Sequence, residues 1–258
     1  MKLYVHTDLE GVSGIDHIDM IQKASPRYRE CCELLMGDVN AAVDGLFAGG
    51  ATHVTVLDSH GGGGNFILDL LDKRADNDTK ENKKWWGKMD SSYQGTLFIG
   101  AHAMAGTMNA FLDHTQSSAS WFDYKVNGRS MGELGQWAMV AGNFGIPMLM
   151  VSGDEAACTE ARNFFSPVET AAVKQGVGRN NAKLVDRDEA RRRIREAAMR
   201  CVALVGKAKP FVPLKPMEIL LTLYRSDYGD AHASHPNVER LDARTVRKVT
   251  SDPLDLFP

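Results

Sequence analysis

The feature that most constrains the fold is a series of four short apolar runs separated by helical patterns. The runs, each the length of a buried strand, cover residues 3–5, 54–57, 97–99 and 148–151. A helix is predicted over residues 27–48, where apolar side chains recur three and four positions apart, and Gly49 and Gly50 then end it. A second helix is predicted over residues 132–143. Strands and helices that alternate with short connections predict an α/β fold with a mostly parallel sheet flanked by helices.

The pattern changes after Asp154 and predicts a smaller C-terminal α+β lobe. Strands are predicted at residues 169–175, 217–224 and 238–250, and a charged amphipathic helix at residues 186–205. We therefore expect a larger α/β domain over residues 1–183, which would carry the chemistry. A lobe over residues 184–258 would contribute to the pocket and to oligomer contacts.

Two connecting segments have distinctive compositions. Residues 73–92 are rich in Lys, Asp and Asn and include Trp85 and Trp86, which predicts an excursion from the core with packed tryptophans. Asn127-Gly128 lies between β-prone residues and predicts a tight hairpin, because both central residues of a type I′ turn need positive φ. This hairpin would lead directly into the second helix.

Composition excludes several classes of partner. The 258 residues carry a net charge of -3, with no large basic patch that would favour nucleic acid or an anionic membrane. No signal peptide is recognisable, and no apolar run is long enough to span a bilayer. The four cysteines form no CxxC pair, which is typical of reduced thiols. We expect a soluble cytoplasmic protein.

Polar side chains with metal-binding chemistry follow the first three apolar runs. Asp8 and Glu10 come after the first run, His60 after the second and His102 after the third. Because ligands bind beyond the carboxyl ends of the strands in an open parallel sheet, we expect these side chains to meet at one edge. In extended backbone, Asp8 and Glu10 would point to the same face, where a cation would relieve the repulsion between their carboxylates.

The candidate ligands combine carboxylates with imidazoles, which suit zinc and neighbouring transition metals better than calcium or magnesium. Glu133, in the first turn of the second helix, is a fifth candidate. Five side chains with one bridging carboxylate fit two metals roughly 3.5–4 Å apart. Each residue alone also has a structural explanation, since a single Asp caps helices, a single His bonds to backbone, and a Glu in a first turn complements the helix dipole.

Other catalytic signatures are weak or missing. The glycine run at residues 61–64 lacks the sequence of a phosphate loop, so a flexible loop beside a ligand is the better interpretation. The GxSxG elbow of serine hydrolases and the HExxH zinc motif are both missing. His114 lies in a polar segment, where acid/base, supporting and purely structural roles all stay open. Asp154 and Lys174 lie near strand ends, and structural roles explain either of them.

In their order and spacing, the motifs resemble the D-aminopeptidase family of dinuclear zinc peptidases, which is associated with bacterial dipeptide-transport operons. The resemblance covers roughly residues 1–180. The motifs that carry it are Asp8-Leu9-Glu10-Gly11-Val12-Ser13-Gly14, Asp58-Ser59-His60, Gly100-Ala101-His102-Ala103, Asn127-Gly128-Arg129-Ser130-Met131-Gly132-Glu133-Leu134-Gly135, Val151-Ser152-Gly153-Asp154 and Ala172-Val173-Lys174-Gln175.

This resemblance implies a zinc-dependent aminopeptidase that hydrolyses short peptides with an N-terminal D-residue such as D-Ala. It implies two Zn²⁺ ions per subunit, or other divalent transition metals, and His114 as the catalytic residue. The metal ligands that it implies are Asp8, Glu10, His60, His102 and Glu133. It also implies a ring-like homo-oligomer, typically a decamer. Residues 73–92 and the C-terminal segment depart from the family pattern, which bears on oligomer contacts and pocket shape.

Three other functions stay open on the sequence. One is a different metal-dependent hydrolase on the same scaffold, such as an amidase or a phosphoesterase. The lack of an Arg or Lys cluster beside the candidate ligands argues against a phosphate substrate. Another is a protein that binds peptide or metal without catalysis. The last is a nucleotide-binding α/β domain, which only the glycine run supports.

Overall fold

A seven-stranded sheet runs through the protein, which a computed structural model describes over residues 1–78 and 84–258. The strands are β1 (Lys2–Thr7), β2 (His53–Asp58), β3 (Ala75–Asp78), β4 (Gly95–Ala101), β5 (Trp121–Val126), β6 (Arg129–Ser130), β7 (Met148–Asp154), β8 (Glu169–Gly178), β9 (Asn181–Leu184), β10 (Met217–Leu223), β11 (Val238–Arg240) and β12 (Thr245–Thr250). The helices are α1 (Tyr28–Ala48), α2 (Glu133–Asn143), α3 (Glu155–Phe164), α4 (Arg187–Cys201) and α5 (Ser226–Ala233).

The strand order of the large sheet is β3-β2-β1-β4-β7-β8-β9. All neighbours are parallel except β8 and β9, which form an antiparallel hairpin. A second, antiparallel sheet has the order β11-β12-β10-β5-β6. The mostly parallel α/β sheet flanked by helices is therefore confirmed. The second sheet is not built only from the C-terminal segment, because β5 and β6 come from the middle of the chain.

Two hydrophobic cores lie on opposite faces of the large sheet. Successive side chains of a strand point to opposite faces, so Leu3 and Val5 of β1 enter one core while Tyr4 enters the other. The first core is closed by α1 and α4, and the second by α2 and the antiparallel sheet. Because both faces are covered, the central strands read as continuous apolar runs.

The predicted elements agree closely with the observed ones, with two errors. The strand predicted over residues 238–250 is instead two antiparallel strands, β11 and β12, joined by a turn. The four apolar runs, the two helices and the hairpin before the second helix are confirmed. Residues 73–92 were predicted as an excursion from the core, and this is wrong in part, because residues 75–78 form the edge strand β3. Polar residues are tolerated there because an edge strand has a neighbour on only one side. Residues 79–83 of that stretch lie outside the described residues.

The predicted division between residues 183 and 184 stays a prediction. The long helix α4 follows this point in sequence, yet it packs against α1 and β8 in the first core. Conversely, β5 and β6 precede this point but belong to the second sheet. The two cores therefore exchange elements across the predicted boundary.

Membrane insertion has no support among the helices. Within residues 1–78 and 84–258, none of them combines the length and the apolar character needed to cross a bilayer.

Close packing of α1 against α4 makes Gly45 a sensitive position. A Cβ atom built at Gly45 would lie 2.2 Å from the Arg195 backbone oxygen. We expect Gly45→Ala to lower the free energy of unfolding by about 1–3 kcal/mol, since overpacking outweighs the better helix propensity of Ala. Urea unfolding measures the change.

Gly178→Ala is the matched control, because a Cβ atom at Gly178 meets no atom within 4 Å. Its free energy of unfolding is expected to stay within about 0.5 kcal/mol of the parent protein. Equal free energies of unfolding for the two variants would contradict this prediction, because α1 and α4 would then move apart without loss of stability.

Candidate metal centre

Parallel pairing brings three of the predicted strand ends together. Thr7, the last residue of β1, is paired with Asp58 of β2 and with Ile99 of β4. The segments that follow these strands therefore leave the sheet side by side. They carry Asp8 and Glu10, His60, and His102, as the sequence predicted.

The backbone after β1 turns sharply instead of staying extended. The Val12 N–H donates to the Leu9 carbonyl, and the Gly11 N–H donates to the Gly100 carbonyl at 2.8 Å. A Cβ atom at Gly11 would lie only 2.0 Å from the Ala101 oxygen, so this close approach requires glycine. The expectation that extended backbone aligns Asp8 and Glu10 is thus wrong, and a turn held against β4 places both carboxylates at the site.

Asp8 lies between two imidazoles and presents one carboxylate oxygen to each. Its Oδ1 atom is 2.8 Å from Nδ1 of His60, and its Oδ2 atom is 3.4 Å from Nε2 of His102. Glu10 Oε2 lies 3.2 Å from the same His60 nitrogen. Such an arrangement allows one carboxylate to bridge two cations.

Glu133 and His114 complete the cluster on the side of His102. Glu133 begins α2, and its Oε1 atom is 3.5 Å from His102 Nε2 and 3.7 Å from His114 Nε2. The His114 nitrogen is also 4.0 Å from Glu10 Oε1. Among the described residues, two ligand groups result, each within 4.8 Å: Asp8, Glu10 and His60 in one, and His102, His114 and Glu133 in the other.

The electrostatics of this cluster require positive charge. Asp8, Glu10 and His102 are all buried. Burial lowers the pKa of His102, but Glu133 and Asp8 outweigh that effect and hold the pKa well above its usual range. Burial likewise opposes ionisation of Glu10, yet the neighbouring His60 keeps the pKa of Glu10 well below its usual range. Carboxylates this well buried need a compensating cation.

The donor atoms fit a metal. The His102 Nδ1 atom lies 3.0 Å from the Ala103 carbonyl oxygen, to which it must donate, so Nε2 is the nitrogen left to bind a cation. Among the described residues, His102 Nε2 and Glu10 Oε2 are buried and have no aligned hydrogen-bond partner. Mixed carboxylate and imidazole donors of this kind suit zinc.

His114 is presented by a strained loop. Leu112 has φ of +51°, in the left-handed region that bulky side chains rarely adopt, and its carbonyl lies 2.8 Å from Nδ1 of His114. Nδ1 donates to this carbonyl, so Nε2 is the ring nitrogen that faces the cluster. The ring stacks on His102 with centroids 4.0 Å apart. Asp154 supports the loop by accepting from the Phe111 N–H at 2.9 Å.

Lys174 braces the segment that carries Asp8 and Glu10. Its buried ammonium donates to the carbonyls of Glu10 at 2.8 Å and Ile15 at 2.7 Å. Burial lowers the pKa of Lys174 to about 7, although Asp38 and Asp154 oppose the shift. The structural role left open by the sequence is thus observed for both Lys174 and Asp154.

The cluster opens into a cavity of about 360 Å³ with an aromatic wall. Trp85, Phe257 and His6 line it beside Asp8, and Gln116 reaches it from a second left-handed position with φ of +59°. Sequence reasoning did not assign these residues to the site. They come from four separate segments, and no local pattern connects them.

The glycine run forms the rim. Gly61 to Gly64 all have positive φ, between 54° and 91°, so the run makes a tight loop that only glycines adopt without strain. Gly61 and Gly62 line the cavity beside His60. The interpretation as a loop next to the candidate ligands agrees with this position.

Comparison with known proteins relates the whole chain to one family. A family model described as D-aminopeptidase matches residues 1–258. The D-aminopeptidase of Bacillus subtilis (strain 168) is 32% identical over 263 residues, which cover 100% of this chain and 94% of the relative. A solved structure, the Zn-dependent D-aminopeptidase DppA from Bacillus subtilis, described as a self-compartmentalizing protease, superposes with a TM-score of 0.94 at 28% identity. That superposition covers 99% of this chain and 94% of DppA.

The brace formed by Lys174 generates a stability prediction. Lys174→Met removes the ammonium and leaves the buried carbonyls of Glu10 and Ile15 without their donor. We expect the free energy of unfolding to fall by about 3 kcal/mol, measured by urea unfolding. Lys183→Met is the control, because Lys183 is exposed on the adjacent strand. A loss of similar size in both variants would contradict the brace.

Proposed function

This chain belongs to the D-aminopeptidase family and is a metallo-aminopeptidase, and from that premise we propose that it removes N-terminal D-amino acids such as D-Ala from short peptides. We propose further that two Zn²⁺ ions serve each subunit. Asp8, Glu10, His60, His102 and Glu133 would hold them. The observation that carries this assignment is the position of Asp8, whose two oxygens face two different imidazoles.

The distances between the side chains support a division of the proposed ligands between the two ions. His60 and Glu10 would hold one ion and His102 and Glu133 the other, and Asp8 would contribute to both because it lies beside both imidazoles. When bound, zinc supplies Lewis acidity that polarises the scissile carbonyl and lowers the pKa of water.

His114 would move the proton. Nδ1 is committed to the Leu112 carbonyl, so Nε2 accepts a proton from the attacking water. The oxygen of that water bonds to the carbonyl carbon, and the bond from carbon to the leaving nitrogen then breaks. His114 returns the proton to this nitrogen, which leaves as the free amine of the shortened peptide. The loop around Leu112 holds the ring in place throughout.

We also propose that the protein forms a homo-oligomer, a decamer, in the cytoplasm. The description of DppA as self-compartmentalizing supports assembly. Exposed apolar side chains such as Leu214 and Met108, each 84% exposed, offer surface for contacts between subunits. The four cysteines are buried and unbridged, which agrees with a reducing compartment.

Activity on alanyl dipeptides tests the proposed reaction. We expect the zinc-loaded protein to hydrolyse D-Ala-D-Ala faster than L-Ala-L-Ala, to lose turnover with a chelator and to regain it with zinc. Elemental analysis is expected to find two zinc ions per chain. N-acetyl-D-Ala-D-Ala is the control substrate and should resist, since an aminopeptidase needs a free amine. Turnover by metal-free protein or cleavage of the acetylated peptide would contradict the proposal.

Substitutions separate metal binding from proton transfer. We expect Glu10→Gln to lose zinc and activity together, because a neutral amide is a poor metal ligand. His114→Ala is expected to keep both zinc ions but to lower kcat by about 100-fold or more. His235→Ala, at an exposed histidine, is the control and should change neither zinc content nor kcat. Loss of one zinc ion from His114→Ala would instead make His114 a ligand.

A further inference from the structure

Two cavities meet at the candidate metal centre. The aromatic cavity described above and a second cavity, also of about 360 Å³, are both lined by His60, Gly61 and His114. Glu10 lines only the second cavity, and Asp8 and Glu133 line only the first. The ligand cluster therefore lies between two spaces, each near the lower end of the roughly 300–1,000 Å³ range of ligand pockets.

The two cavities differ in charge. Among the described residues, no Lys or Arg lines the aromatic cavity. The second cavity is lined by Lys23 and Arg179, which come from distant parts of the chain. Lys23 lies in the loop before α1, and Arg179 lies in the turn between β8 and β9. We refer to this second space as the cationic cavity.

Arg179 has donors to spare. Its Nε atom is 3.7 Å from Asp113 Oδ1, which is beyond hydrogen-bond range, and its Nη1 atom donates weakly to Asn180 at 3.3 Å. The side chain is 41% exposed, so this ion pair contributes little to stability. Most of the five guanidinium donors therefore remain available to a ligand in the cavity.

The backbone of Arg179 is nevertheless fixed relative to the catalytic histidine. Its carbonyl oxygen accepts from the Leu112 N–H at 2.7 Å, and the Leu112 carbonyl in turn holds His114. Lys23 is tethered more loosely, by a 3.2 Å hydrogen bond from Nζ to the Gly63 carbonyl. The Arg179 backbone thus has a set place relative to His114, and Lys23 lines the same cavity.

We propose that Arg179, assisted by Lys23, binds the terminal carboxylate of the peptide substrate. This inference rests on the proposed function and specifies its substrate class. The N-terminal residue would occupy the aromatic cavity, and the scissile bond would lie beside His60 and His114. The leaving residue would then extend into the cationic cavity, where the planar guanidinium matches a carboxylate with two parallel hydrogen bonds.

The substrate class that follows is a very short peptide with a free carboxyl end. A peptide amide of the same sequence keeps the amine and the scissile bond but lacks the anion that Arg179 would bind. A longer peptide carries its carboxylate past the cation. The enzyme would therefore select against both, even though the bond to be broken is chemically the same.

Comparison of an acid substrate with its amide tests this assignment. The substrates are the alanyl-alanine stereoisomer that the enzyme cleaves fastest and the corresponding alanyl-alaninamide. We expect kcat/KM to favour the free acid about ten-fold or more, because a charged hydrogen bond is lost with the amide. In Arg179→Gln this preference is expected to fall to near unity, through a raised KM for the acid and unchanged kinetics for the amide.

Three variants frame the measurement. Arg179→Lys keeps the charge but not the planar guanidinium that forms two parallel hydrogen bonds. It is expected to retain part of the preference for the free acid. Lys23→Gln should reduce it less than Arg179→Gln, since Lys23 is exposed. Arg244→Gln removes an exposed arginine of the hairpin between β11 and β12 that lines neither cavity, and should leave the preference as in the parent protein.

A binding measurement gives a readout that needs no turnover. On the zinc-loaded His114→Ala background, calorimetry should show the free acid binding about ten-fold more tightly than the amide, and Arg179→Gln should remove that difference. Equal kcat/KM for acid and amide in the parent protein, or equal losses for both substrates in Arg179→Gln, would overturn the carboxylate site and leave the peptidase activity standing. Failure to cleave either substrate would instead overturn the proposed function, and this inference with it.

Discussion

The burial of Asp8 and Glu10 side by side is the constraint on which the rest of the site depends. Two carboxylates removed from water repel each other and lose their hydration, a cost that the protein must offset. The imidazoles of His60 and His102, in the segments that follow β2 and β4, offset part of this cost. Lys174 stabilises the same segment through its backbone carbonyls and leaves the carboxylate oxygens to the imidazoles.

The parallel sheet made the central part of this arrangement predictable. Strand ends in a parallel sheet share one edge, so the positions of Asp8, His60 and His102 in the sequence were enough to place them together. Glu133 was placed through the hairpin that precedes α2. That these residues bind metal stays a prediction. The chain path between them was less predictable, because the turn at Gly11 depends on contact with β4.

Features that depend on contacts between distant segments or on unusual backbone conformations could not be predicted from the sequence. The left-handed conformation of Leu112 leaves no pattern in the residues around it, so only family resemblance singled out His114. Strand β3 lacks β-branched residues and pairs with β2 on one side, which explains why its sequence reads as a polar loop. Arg179 and Lys23 are separated by more than half the chain, and only the folded sheet brings them to one cavity.

The position of Arg179 has a consequence for how the enzyme selects peptides by length. The Arg179 backbone is fixed through Leu112 to the loop of His114, so a carboxylate bound by Arg179 would set how many residues separate the bond that breaks from the end of the peptide. The length of the peptide would then be selected through the charge of its terminal carboxylate as well as through the shape of the cationic cavity. The hairpin between β8 and β9 carries Arg179 but none of the candidate ligands. Evolution can therefore move this arginine, and with it the accepted length of peptide, without altering the ligand cluster.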